Sequence, residues 1–169
     1  RSMRQAYAQG KESFFLDVLG AELKRLRVFG YPYSSYAARI TSIRDYYKAS
    51  MDLLNVDNLR TVFKPGLHIR TKIKDEAPAK YMEEAQVKNS IIANGCIIEG
   101  RVENSILFRN VRVGKNACVQ NSIVMQRAVI GEDAQVDCVI CDKNVLIQPE
   151  AVLQGNKDKP LCIAKYGEK

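Results

Sequence analysis

The sequence predicts a mainly β protein, a single-stranded parallel β-helix that follows a shorter, mostly helical segment. Three observations carry this prediction. A short apolar phrase recurs, as NSII at 89–92, NSIL at 104–107 and NSIV at 121–124, with DCVI at 137–140 as a looser copy. Successive copies stand 15 to 17 residues apart. Around them aliphatic residues return every six positions, as in Ile91 and Ile97, Ile123 and Val129, or Val139, Val145 and Ala151. Six is too long for a helical turn and too regular for sandwich strands. It is the period of a solenoid in which a flat strand alternates with a corner, three such units closing one coil of about 18 residues.

The segments before the repeat have a different rhythm. In ESFFLDVLGAELKRL (12–26), Phe15, Leu19, Leu23 and Leu26 fall on one face of a helix, weakened by Gly20. RVFGYPYSSY then reads as a short strand entering a turn at Pro32. SIRDYYKASMDLL (42–54) reads as a second helix. Ser42 is its cap, and Ile43, Tyr46, Tyr47, Ser50, Met51 and Leu54 form its stripe. Residues 60–84, with Pro65, Gly66 and Pro78, have linker character.

From Ala85 helical spacing disappears. Each coil is expected to turn one aliphatic residue per side inward, with Ile91, Ile106, Ile123 and Val139 stacked in one interior column. Cys96, Ala117, Cys118, Ala128, Ala134 and Cys138 are the small residues that fit beside it at corners. Gly95, Gly100, Gly114 and Gly131 suit tight or left-handed turns. Asn89, Asn104 and Asn121 are expected to stack as an amide ladder. Each buried aliphatic contributes about 1.5–3 kcal/mol. A coil is not stable alone, so the stack needs caps. The segments before it and the tail KDKPLCIAKYGEK are the candidates.

Composition narrows the chemistry. No run approaches the roughly 18 apolar residues of a membrane-spanning helix. The opening RSMRQAYAQGKES lacks the apolar core of a secretion signal, and the chain reads as a fragment of a longer cytoplasmic protein. The five cysteines then read as reduced. Cys138-x-x-Cys141 has the spacing of a metal or redox pair. No second pair accompanies it, and the single histidine, His68, is distant in sequence, so a core role fits better. The net charge of +7 is uneven. Residues 1–84 hold 15 basic and 10 acidic side chains, whereas 85–156 hold seven of each. The coils therefore lack the basic field that nucleic acid requires, and the excess before them suits a small anion or a solvated surface. Acyl transfer, a chemistry found on such solenoids, calls for a general base near the acceptor, usually a histidine on a coil, and 85–156 contain none. Neither a phosphate-binding P-loop nor a dinucleotide glycine motif is present.

The order of parts carries a resemblance. YSSYAARITSIRDYYKASMDLL (33–54) is followed by Ile69-Arg70-Thr71, by Pro78-Ala79-Lys80 and by the NSIL coils. This succession resembles the C-terminal part of bacterial glucose-1-phosphate adenylyltransferase (ADP-glucose pyrophosphorylase), which makes the glucosyl donor for glycogen. The resemblance implies a nucleotidyltransferase domain followed by a left-handed β-helix. On that basis residues 1–58 are the α/β tail of the first domain, 59–84 a linker, 85–156 the β-helix and 157–169 a C-terminal tail.

One departure from the family pattern bears on activity. Catalytic members carry tryptophan, any residue, then Asp-Val-Gly before the helix that ends Met-Asp-Leu-Leu. Aligned on Met51-Asp52-Leu53-Leu54, Ala37 takes the tryptophan position and Arg39 the aspartate position, followed by Ile40 and Thr41. The family aspartate helps hold Mg²⁺ during phosphoryl transfer from ATP. A guanidinium has no lone pair for a metal. The resemblance therefore implies a regulatory-type, non-catalytic subunit that needs no cofactor of its own and works in a homo- or hetero-oligomer beside a catalytic subunit that uses Mg²⁺ and ATP. The competing readings are a surface arginine in an unrelated helix-turn and a full-length chain that is itself an active adenylyltransferase. Family members bind sugar-phosphate effectors between their domains. Arg70, Lys72 and Lys74 alternate onto one side of HIRTKIK and suit a phosphate, or form a solvated basic strand. Lys143 in Asp142-Lys143-Asn144 matches a family effector segment, or is an exposed corner lysine.

Overall fold

The computed structural model describes residues 2–20, 23–25, 27–66 and 74–165. The chain forms two compact units, Arg1–Ser35 and Tyr36–Lys169.

The first unit begins with helix α1 (Ser2–Ala8). The helix expected over 12–26 takes another form. Phe14–Gly20 makes a wider, π-helical turn. At its start the Asp17 carboxylate accepts the Ser13 N–H at 2.9 Å, closing a tight cap. The turn stops at Gly20, where backbone freedom opposes helix. Of the expected apolar face, Phe15 and Leu23 are exposed, and Val18 is the residue that is buried. The strand expected after Arg27 is absent: 27–34 join no ladder, and Phe29 and Tyr31 are exposed. Extended backbone becomes strand only where a neighbour takes its hydrogen bonds.

The second unit opens with the expected helix α2 (Ile43–Asp52). Ser42 Oγ accepts the Asp45 N–H at 3.1 Å, so the cap read from sequence is in place. Helix α3 (Val56–Val62) follows inside the stretch expected to be linker. Asn55 caps it, its Oδ1 accepting the Asp57 N–H at 2.8 Å.

Strands β1 (Lys80–Tyr81) to β15 (Leu161–Ile163) then build three five-stranded parallel sheets, the three sides of a β-helix. The ladders extend beyond 85–156 at both ends. Lys80 pairs with Ile97, and in the tail Leu161 pairs with Val139. Coil length is 17 residues in most registers, as from Arg112 to Val129 and from Ile106 to Ile123. One coil is two residues shorter, so that Gln86 pairs with Arg101 and Ile97 with Arg112, 15 residues on. The trimmed corner is Glu99–Gly100.

The period was right and its phase was off by one. Ile91, Ile106 and Ile123 do stack, but the fourth member is Ile140 rather than Val139. That column faces out of the coil and packs beneath α2, where Ile123 and Ile140 meet Tyr47. The interior is filled by the following residues, Leu107, Val124 and Cys141, together with Ile98, Val113, Ile130, Val102, Val119 and Val136. Val139 is also interior, at the position serine holds in the other copies. Both faces of this side are buried, so the strands read as runs of aliphatics.

The phrase NSI thus has three parts with three tasks. Asn89, Asn104 and Asn121 turn the corner at φ of 43°, 47° and 45°, a left-handed conformation that asparagine tolerates. In the looser copy Cys138 takes the same turn, at φ 54°. The serines stitch coils together. Ser105 Oγ donates to the Glu103 carbonyl at 2.8 Å and accepts the Ser122 N–H at 3.0 Å. Ser122 Oγ donates to the Gln120 carbonyl at 2.6 Å and accepts the Val139 N–H at 3.1 Å. Both serines are fully buried and fully bonded, which removes the cost of a buried hydroxyl. The isoleucine supplies the outer face. The amide ladder is seen between Asn89 Nδ2 and Asn104 Oδ1 at 2.7 Å, whereas Asn121 Nδ2 turns to Asp137 at 2.8 Å.

Of the four corner glycines, only Gly95 has a positive φ, 77°. Gly100, Gly114 and Gly131 serve close approach: a Cβ there would strike the backbone of the next coil.

The cysteines are free thiols, with Cys96 and Cys141 fully buried. Cys96, Ala117, Ala128 and Ala134 occupy interior corners as expected, whereas Cys118 is only half-buried. Burial, reinforced by the Asp142 carboxylate, pushes the Cys141 thiol up to about 12. Because the folded form favours the proton, this term is fully present below the ordinary thiol value of about 8.5 and is lost as pH rises toward 12. The urea midpoint is therefore expected to fall above about pH 8.5, and less steeply in Cys141→Ala. Parallel pH curves for the two proteins would contradict this.

Candidate functional site

The second unit brings helix α2, the segment leading into it and the asparagine corner of the β-helix together. Tyr47 on α2 is 3% exposed, and its hydroxyl donates to the Asn121 carbonyl at 2.6 Å. Burial holds this phenol protonated well above its ordinary range, with the neighbouring Cys138 and Asp137 adding to the effect. Arg44, one turn earlier, bonds Asp158 in the tail at 2.6 Å, although both side chains are largely solvated. Tyr36 ties the leading segment down, its hydroxyl donating to the Ala49 carbonyl at 3.3 Å and to Asp52 at 3.3 Å. Its own pKa is raised by burial first and by Asp52 second.

Arg39 lies on this leading segment and is exposed. The nearest carboxylate in sequence, Asp45, has a structural task. Its Oδ2 accepts the Thr41 hydroxyl at 2.7 Å and the Thr41 N–H at 3.2 Å. These bonds, the Thr41 hydroxyl foremost, hold it below the usual carboxylate range. Asp45 is thus part of the helix cap. No group of three or more His, Cys, Asp or Glu among the described residues has the arrangement of a metal site. The residues around Arg39 do not fit Mg²⁺.

Of the other sequence candidates, Lys143 is exposed at a coil corner, where its N–H donates to Asp142 Oδ1 at 2.7 Å. Lys74 is exposed on the segment before β1. Arg70 and Lys72 lie outside the described residues. Two of the candidates flank one feature: a cavity of about 600 Å³ is lined by Ile40 to Ile43, next to Arg39, and by Asp142, next to Lys143.

A larger cavity, about 790 Å³, separates α2 from the asparagine corner. Arg44 and Lys48 reach it from one face of α2, four residues apart. Asn89, Asn104 and Asn121 line the opposite wall, and Lys157 closes it from the tail. Sequence analysis had read these asparagines as structural only. The signal for a cleft was the basic pair at helical spacing on a helix due to pack on the coils. A third cavity, of about 470 Å³ and almost wholly apolar, lies where Leu53, Leu59 and Phe63 face Ile91 and Ile106.

Three parallel sheets, left-handed corners and a six-residue period define a hexapeptide-repeat β-helix protein, here carrying a helical pair on one side. Residues 77–160 match the family described as GlmU-like, C-terminal hexapeptide. The chain is 46% identical over 144 residues to glycogen biosynthesis protein GlgD of Bacillus subtilis (strain 168), covering 85% of this chain and 42% of that protein. It is 47% identical over 117 residues to GlgD of Geobacillus stearothermophilus, covering 69% and 34%. It is 34% identical over 91 residues to glucose-1-phosphate adenylyltransferase of Fusobacterium nucleatum, covering 54% and 24%. The chain belongs to the family that unites GlgD with glucose-1-phosphate adenylyltransferase, and it spans about two fifths or less of the length of these relatives. Among the described residues no helix is long and apolar enough to cross a membrane.

Proposed function

We propose that this chain is part of a regulatory or assembly subunit in glycogen biosynthesis. It acts beside a catalytic subunit that converts ATP and glucose 1-phosphate to ADP-glucose and pyrophosphate. The observation that carries the reading is the pairing of Arg39 with the cap of α2. A cation stands where the resemblance puts a metal-binding carboxylate, and the one nearby acid, Asp45, is committed to Thr41. The β-helix supplies surfaces for a homo- or hetero-oligomer, while Mg²⁺ and ATP belong to the partner. A sugar-phosphate effector is gripped by Arg70, Lys72, Lys74 and Lys143.

Coexpression with the catalytic subunit tests this. The pair is expected to copurify and to differ from the catalytic subunit alone in its rate of ADP-glucose formation or its effector response. If neither changes, the regulatory role is lost. If the full-length protein alone forms ADP-glucose with Mg²⁺, and Arg39→Asp adds little, the chain is an enzyme in its own right.

A further inference from the structure

The cleft of about 790 Å³ between α2 and the asparagine corner holds unused recognition chemistry. One Asn89 amide hydrogen is given to Asn104 Oδ1 at 2.7 Å, and one from Asn121 goes to Asp137. Among the described residues this leaves the Asn104 amide NH₂ and the Asn89 and Asn121 amide oxygens without partners. These donors and acceptors recur along one line at the coil rise of about 4.8 Å. Alternating donors and acceptors suit hydroxyl groups, which both give and take hydrogen bonds.

The charged groups complete the pattern. The two acids in the lining are already engaged: Asp158 with Arg44 at 2.6 Å, and Asp52 with the Tyr36 hydroxyl at 3.3 Å. Lys48 and Lys157 both line the cleft, one from the helix and one from the tail, and neither forms an ion pair among the described residues. Two free ammonium groups facing one space suit a phosphate.

We propose that this cleft binds a phosphorylated sugar, its hydroxyls on the asparagine corner and its phosphate between Lys48 and Lys157. The site is separate from the Arg70, Lys72, Lys74 and Lys143 set. A ligand seated there touches α2 and the β-helix at once. It therefore clamps the helix whose capped start carries the Arg39 segment. Only this consequence rests on the regulatory reading; the binding itself does not.

The test is a ¹H–¹⁵N NMR titration of the full chain with three probes, glucose 1-phosphate, glucose and inorganic phosphate. Glucose 1-phosphate is expected to give saturable shifts at the side-chain amides of Asn89, Asn104 and Asn121 and at the amides of 44–48. Glucose or phosphate alone is expected to bind at least about tenfold more weakly. The double variant Lys48→Ala, Lys157→Ala is expected to weaken glucose 1-phosphate binding by at least about tenfold, while the exposed control Lys115→Ala leaves it unchanged. Equal binding of phosphate alone, shifts confined to the Lys143 corner, absence of saturation, or an unchanged double variant each overturns the proposal. Coassay with the catalytic subunit separates the two ideas. Saturable binding in the cleft without any effect on the partner keeps the site and sinks the regulatory reading. An effector response that survives in the double variant does the reverse.

Discussion

Gly100→Val is expected to destabilise the β-helix by about 3 kcal/mol or more, the upper range for overpacking a closed site. A Cβ at residue 100 runs into the Ala117 and Gly114 carbonyls and the Ala117 nitrogen. All are backbone atoms of the next coil, so no rotamer change relieves the collision. The following strand cannot retreat either, because Arg101 N–H donates to the Ala117 carbonyl at 2.7 Å. Relief requires the two coils to part, with loss of interior contact around Val102 and Val119, both fully buried. Urea denaturation followed by circular dichroism measures the effect. Gly30→Val is the control: a Cβ there meets nothing within 4 Å, and the midpoint should stay within about 0.5 kcal/mol of the parent. A Gly100→Val protein as stable as the Gly30→Val protein would show that the coils are not closely packed at this corner.

Tyr47→Ala is expected to release α2 from the coils at a cost of about 3–5 kcal/mol, the range for a buried aromatic. The ring is the buried centre of the contact with Ile123 and Ile140, flanked by Tyr46, Met51 and Met125. Its hydroxyl is bonded to a carbonyl of the coil. A helix of 10 residues is marginal alone, so this packing is what maintains it. Hydrogen exchange distinguishes the outcome by segment. In Tyr47→Ala, amides of 46–52 should lose protection, while those of 117–124 in the coils keep theirs. Tyr47→Phe removes only the hydroxyl bond and should cost about 1 kcal/mol. Retained protection of α2 in the alanine variant would mean that the helix is held by something other than Tyr47.

The sequence showed the period of the solenoid but not its phase, for a definite reason. Phase is normally read from alternation, apolar inside and polar outside. Here Ile91-Ile92, Ile106-Leu107 and Ile123-Val124 are aliphatic on both sides, because helices cover the outer face. Ser105 and Ser122 were unreadable for a related cause. Their bonds run to a neighbouring coil, 17 residues away in the case of Val139 N–H and Ser122 Oγ. The cap of α2 was legible because Ser42 and Asp45 act within one turn. Helix α3 was missed although Asn55 marks its start, since the prolines and glycine further on gave the region a loop-like composition. In the first unit, apolar spacing alone suggested a longer helix and a strand, and no packing partner was there to enforce either. At the site, Arg39 stood out against a family pattern, whereas Lys48, Lys157 and the asparagine corner converge only in three dimensions.

The coil that is two residues short closes at Glu99–Gly100, yet strand pairing on either side stays in register. Length variation has thus been absorbed at one vertex, while the serine-bearing vertices kept their spacing to the strand that follows. That vertex is the molecule's natural splice point. A loop grafted there can grow outward into solvent without shifting any rung of the three ladders, so new recognition segments can be added to this prism at no cost to its frame.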